Sequence, residues 1–241
     1  MKNICIIQAR LGSDRLPGKV MQPIGDGKSI VEMAYARLCA ARYIDKVVVA
    51  IPEGEKDDEL AAFLDSKNIP YLRGSEDDVL GRFCTALGDE EWDNVIRATS
   101  DNPFVSTYIA DAMVLSHVLS GSDYTSAGDA IIGTSVEVAK VDKLRELNKR
   151  TDLQGYHREH VTFYFREHPE TYHLNTMPVA TCKGLKGKIR LTVDTVQDYE
   201  VACAVYAAIG RPDLDIPDVL ALYAERPDIF LGNKDVVQKV R

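Results

Sequence analysis

No apolar stretch in the sequence is long enough to cross a bilayer. The first one, Ile4 to Ala9, is too short for a secretory signal and runs straight into a basic loop, so the expected location is the cytoplasm. The five cysteines, Cys5, Cys39, Cys84, Cys182 and Cys203, are odd in number, scattered and without a Cys-x-x-Cys pair. That pattern fits reduced, mostly buried thiols. Excess positive charge is missing as well: 29 Lys and Arg stand against 37 Asp and Glu, a net charge of −8. This argues against general nucleic-acid binding through a basic surface. Internal repeats and low-complexity linkers are also lacking. A chain of 241 residues, 45% apolar and 27% charged, suits one soluble α/β domain, with or without a small lobe.

Against that acidic background, the first 28 residues carry five cations and two acids. Ile4-Cys5-Ile6-Ile7-Gln8-Ala9 reads as a buried strand. It stops at Arg10-Leu11-Gly12-Ser13-Asp14-Arg15-Leu16-Pro17-Gly18-Lys19, a loop with two glycines, a proline and three cations. Gly12 and Gly18 permit a tight turn or close approach to a ligand. Arg10, Arg15 and Lys19 fall just past the strand's carboxyl end, where open α/β sheets bind ligands, and their chemistry suits phosphate oxygens. A merely solvated basic loop is the competing reading. Gly27-Lys28-Ser29 lacks the first glycine of a P-loop, because Gln22 stands there. Gly25-Asp26-Gly27 lacks the third glycine of a dinucleotide fingerprint, because Ile30 stands there.

The pattern then alternates. Helices are expected over Ser29 to Ala41, with Ser29 and Glu32 as a capping box, and over Asp57 to Lys67. Strands are expected over Lys46 to Ile51, Pro70 to Arg73 and Asn94 to Thr99. A helix capped by Ser75 or Asp77 runs to Leu87, and others cover Thr107 to Leu119 and Val141 to Arg150. His157 opens a helix ending near Pro169, in which Tyr156, Val161, Tyr164 and Phe165 pack in a core. Its two histidines and Glu159 do not have HExxH spacing, which disfavours zinc. Strands follow at Ser122 to Thr125 and Thr171 to Thr176, and helices at Val196 to Ala208 and Asp218 to Glu225. Alternation in the first third predicts a parallel sheet with both faces covered. Asp101, in a turn held by Pro103, suits either a metal or an Asx-turn. Arg190 is read equally as an anion contact or an edge-strand surface charge.

Gln8-Ala9-Arg10, Gly12-Ser13 and Arg15-Leu16-Pro17-Gly18-Lys19 resemble the amino-terminal signature of the cytidylyltransferase family. That family includes the CMP-sugar synthetases for acylneuraminate and Kdo, and the SpsF-like branch, which the chain resembles most. Asp14 stands where the family usually has Thr. Three further blocks resemble the same family: Gly74 to Arg82, Arg97 to Pro103, and Arg190 to Asp198. The resemblance implies a mostly parallel sheet with helices on both faces, of the nucleotide-diphospho-sugar transferase type, and a small β-containing lobe. It implies a nucleotide-binding half over 1–120, an acceptor and dimerisation lobe over 121–190, and a return to the core over 191–241. The implied activity is Mg²⁺-dependent transfer of CMP from CTP to a sugar acid by a homodimer, in surface polysaccharide synthesis. Arg10, Gly12, Ser13, Arg15, Lys19, Ser75 and Arg82 are the implied nucleotide contacts. Asp101 and Asp194 are the implied metal ligands, and with Arg10 and Lys19 they form the implied catalytic set. Glu137, Glu159, His160 and Arg190 are the implied acceptor contacts, although Ile131 and Ser135 replace the family's proline and acid before Glu137. A nucleotide-sugar glycosyltransferase and a non-catalytic nucleotide binder are the alternatives.

Overall fold

Strand β1 (Asn3–Gln8) is buried on both faces, since Cys5 and Ile7 enter one hydrophobic cluster while Ile4 and Ile6 enter another. A strand covered on both sides reads as a continuous apolar run rather than an alternating one. The computed structural model describes residues 1–238. After β1 come a short hairpin, β2 (Pro23–Gly25) and β3 (Lys28–Ser29), then α1 (Ile30–Cys39), β4 (Lys46–Pro52) and α2 (Asp58–Ser66). Next are β5 (Tyr71–Gly74), α3 (Val79–Leu87), β6 (Asn94–Thr99), α4 (Thr107–Ser120), β7 (Tyr124–Gly128) and β8 (Glu137–Lys140). The chain continues through α5 (Val141–Asn148), α6 (Gly155–His160), α7 (Phe163–Glu167), β9 (Leu174–Pro178), α8 (Val196–Ile209) and α9 (Ile216–Glu225).

Seven strands form one sheet in the order β5-β4-β1-β6-β8-β7-β9. Only β8 runs against the others: it pairs antiparallel with both β6 and β7, while the remaining neighbours pair in parallel. Helices α1, α2, α4, α8 and α9 contribute to the cluster on one face, and α3, α5 and α7 to the cluster on the other. Residues 124–178 thus extend the main sheet by three strands. From β1 the chain winds outward through β4 and β5, then returns to place β6 on the other side of β1. The strand order reverses there, opening a crevice at the carboxyl ends of β1 and β6.

Local expectations hold where capping and burial agree. Ser29 and Glu32 form their reciprocal cap, and Thr195 and Asp198 form another at the start of α8. Three details differ. Asp78, not Ser75 or Asp77, caps α3 by accepting from the Gly81 N–H. The helix expected to run from His157 to near Pro169 is two helices, α6 and α7, broken at Val161. Tyr156, on α6 before the break, is 39% exposed rather than in the core. Arg190 is buried, so it is not an edge-strand surface charge.

Candidate active site

A cleft of about 190 Å³ opens at that reversal point. Arg10, Gly12, Ser13, Arg15 and Lys19 line it from the loop after β1, and Asp101 from the turn after β6. Arg82 enters from α3, Glu159 and His160 from the end of α6, and Asp194 from the segment before α8.

The loop after β1 is fixed from beneath. Asp57, buried ahead of α2, accepts from the Leu11 N–H at 2.7 Å. Gly18 turns the chain at φ +67°, a conformation that favours glycine, and so sends Lys19 back under the loop. The Lys19 ammonium has three donors and three acceptors. These are Val193 O at 2.5 Å, Asp194 Oδ1 at 2.9 Å and Asp101 Oδ2 at 3.2 Å. Asp101 also accepts from the Thr99 hydroxyl at 2.6 Å, so its carboxylate is aimed by its own strand.

Asp194 is brought to Asp101 by backbone contacts. The Val193 N–H donates to Asp101 O at 2.8 Å, and the Leu191 N–H to Ile132 O at 2.8 Å. Gly133 lies against this segment with φ +95°, and a Cβ there would stand 2.3 Å from the Thr192 nitrogen. Only glycine lets the Asp194 segment pass so close. Behind Asp194, the Asp198 carboxylate accepts from the N–H groups of Asp194 and Thr195 at 3.0 and 3.1 Å. Arg15 and Arg190 approach Asp194 Oδ2 at 3.1 and 2.7 Å. Burial pushes the Asp194 carboxyl up, but Lys19 and then Arg15 and Arg190 outweigh it and hold the group below its ordinary value.

Four basic side chains, Arg10, Arg15, Lys19 and Arg82, and five carboxylates, Asp14, Glu76, Asp101, Glu159 and Asp194, line the cleft. The cations of the first 28 residues thus meet a mixed lining, because the tertiary structure brings in acids from four distant segments. Such a lining suits an anion together with a cation better than a bare anion. Arg82 is 3% exposed, and its Nη1 donates to Ser75 O at 2.6 Å while its Nε has no partner among the described residues. Burial and the nearby Arg10 charge both lower its pKa.

Three of the expected site residues stand outside the cleft lining. Ser75 serves the start of α3, its hydroxyl accepting from the Asp78 N–H. Arg190 lies behind Asp194, engaged with Asp194 and Asp198. Glu137 sits in a polar knot between strands, described below. Gln8, Glu76 and Thr99 line the cleft without having been singled out from the sequence. For Thr99, its position two residues before Asp101 at a strand end is the signal that was present. Asp57 looked like an ordinary helix-start acid, and nothing local distinguishes it.

The family model for cytidylyltransferases matches residues 4–210. The chain is 36% identical over 227 residues to the spore coat polysaccharide biosynthesis protein SpsF of Bacillus subtilis (strain 168), covering 92% of this chain and 94% of that one. A cytidylyltransferase structure from Leptospira borgpetersenii superposes with a TM-score of 0.86 at 26% identity, over 100% of this chain and 99% of that one. The structure of a CMP:2-keto-3-deoxy-manno-octonic acid synthetase complexed with CTP has the same fold, with a TM-score of 0.66 at 16% identity, over 86% and 99% of the two chains. With a match over most of its length, in sequence as well as in fold, this chain is an enzyme of the cytidylyltransferase family.

Proposed function

We propose that the protein transfers CMP from CTP to a hydroxyl of a sugar acid, with release of pyrophosphate, in the synthesis of a surface polysaccharide. The observation that carries this reading is the convergence of Asp101 and Asp194 on one buried cation beside the arginines of the first loop. The kinship with SpsF supports the polysaccharide setting. A fold shared with a synthetase complexed with CTP supports the nucleotide.

The donor set fits a divalent ion. Mg²⁺ takes one or two carboxylates, with phosphate oxygens and waters completing its shell. Asp101 and Asp194 already gather a positive charge between them, that of Lys19. Those two aspartates would hold Mg²⁺, which when bound supplies charge neutralisation and lowers the pKa of the acceptor hydroxyl.

The chain's own side chains do the rest. Arg10 and Arg15 hold the β- and γ-phosphates with Lys19, whose ammonium exchanges its carboxylates for phosphate oxygens as the nucleotide enters. Gly12 and Ser13 let the backbone approach the same oxygens. Arg82 faces the nucleoside side from α3. Glu159 and His160 form the acceptor wall. The acceptor oxygen forms a bond to the α-phosphorus, and the bond from that phosphorus to the bridging oxygen breaks. Pyrophosphate leaves with the electron pair, and the hydroxyl proton passes to solvent. Catalysis here is positioning and electrostatic stabilisation of the leaving group.

A screen for pyrophosphate release, pairing each of the four NTPs with a panel of sugar acids, tests the reading. Release is expected with CTP and at least one sugar acid, dependent on a divalent ion. Release with another nucleotide in place of CTP, or none with any sugar acid, would overturn it.

A further inference from the structure

The break between α6 and α7 is a strained turn. Val161 has φ +57° and ψ −64°, and the Thr162 N–H donates to His160 O at 2.5 Å, two residues back. This is the rare form of the γ-turn, found here at a β-branched residue that is fully buried. Such a conformation persists only where its surroundings over-determine it, and it is common beside binding sites. The two residues just before the turn, Glu159 and His160, line the cleft.

What holds the turn is the Glu137 carboxylate on β8. Its Oε2 accepts from the Thr162 hydroxyl at 2.8 Å and from Arg97 Nη1 at 2.6 Å. Its Oε1 accepts from the Tyr124 hydroxyl at 2.5 Å. Arg97 reaches on to Gln8 Oε1 at 3.2 Å, and Gln8 lines the cleft. One carboxylate therefore ties β6, β7 and β8 to the turn, and through Arg97 to the end of β1. Burial alone would raise the Glu137 pKa, yet Arg97, Tyr124 and Thr162 together keep it below the ordinary value, so it stays an acceptor for all three donors. A second brace acts from the outer side. The Gln154 N–H donates to His157 Nδ1, which leaves Nε2 of a neutral ring to donate to Glu167 across the break at 2.7 Å.

We propose that Glu137 is a positioning residue: through Thr162 it locks the Val161 turn in the conformation that presents Glu159 and His160 to the cleft opposite Gln8, and so sets the acceptor wall. This rests on the proposed function for the identity of that wall. It replaces direct acceptor contact as the reason for an acid at position 137. Distortions of this kind matter because an ångström of misplacement can reduce turnover on the order of 100-fold.

The test compares Thr162→Val, which removes only the hydroxyl, with Thr162→Ser, which keeps it, and with Glu137→Gln. NMR of the His160 ring in the full-length protein, at one fixed pH, reads the turn without any ligand. Calorimetry with CTP and Mg²⁺ reads the nucleotide side. The His160 resonances should shift in Thr162→Val and Glu137→Gln and return in Thr162→Ser, while CTP affinity stays within about twofold for both Thr162 variants. With the sugar acid that gives the fastest pyrophosphate release, Thr162→Val should raise the acceptor KM by about 10–100-fold. A His160 signal that is the same in Thr162→Val as in the wild type would overturn the proposal. So would a tenfold loss of CTP affinity in Thr162→Val. Wild-type protein that binds no CTP would instead overturn the functional reading, and the His160 spectra would still decide the clamp.

Discussion

Replacing Lys19 with Met keeps most of the side chain's volume and removes its charge. In the folded protein the ammonium lies between two acids, with side-chain exposures of 9% for Lys19, 15% for Asp194 and 27% for Asp101. Two hydrogen bonds to carboxylates, each worth about 1.5–3 kcal/mol, are lost together with the one to Val193 O. Asp194 keeps Arg15 and Arg190, so the lower end applies to it. The two carboxylate bonds alone sum to about 3 kcal/mol, at the low end of what breaking a buried pair costs. For a domain of this size that lowers Tm by about 6–12 °C. The penalty depends on pH with a definite sign. The folded pKa of Asp194 is depressed, so its stabilisation is present above the unfolded value and disappears as pH falls through the folded one. The difference between wild type and Lys19→Met is therefore full near pH 7 and narrows below about pH 4 by the share that Asp194 contributes. Thermal unfolding followed by circular dichroism across that range measures it. Added Mg²⁺ should raise the variant's Tm more than the wild type's, since the ion takes the place of the lost ammonium between the carboxylates. A Tm unchanged near neutral pH, or a gap as wide in acid as at neutrality, would refute the assignment of Lys19 as the cation holding the two aspartates together.

Three other outcomes follow from the same geometry. Asp194→Asn should slow turnover by about 100- to 1000-fold, or about 2.7–4 kcal/mol of barrier, read as kcat in the pyrophosphate assay. Arg10→Ala, on an exposed side chain, should leave Tm without ligand close to the wild type but abolish the upward shift produced by CTP and Mg²⁺; a shift of undiminished size would remove Arg10 from the phosphate site. Gly133→Ala should cost more than about 1 kcal/mol of stability, because its backbone is left-handed and its new methyl meets the Thr192 backbone. Activity should fall with it, as the displaced segment carries Asp194.

The sequence by itself determined the elements whose signals are local. The double-sided burial of β1 is written as an unbroken apolar run. The start of α1 is written as two capping residues three positions apart. The loop from Arg10 to Lys19 carries its charges and glycines side by side in the chain, and the structure sets it along the cleft. Glu137 shows the opposite case: the family pattern marked the position, but its partners Arg97, Tyr124 and Thr162 come from three other elements, so its role was invisible. The turn at Val161 was unreadable for a related reason, since no local residue favours a positive φ there and only the packing around it pays for the strain. Among the acids of the cleft, Glu76 took its place only in three dimensions. Local sequence governs backbone propensity and periodicity, whereas a site depends on which distant side chains share the same few ångströms. That was decided here by the reversal of strand order at β1 and β6 and by the single glycine that lets the Asp194 segment pass.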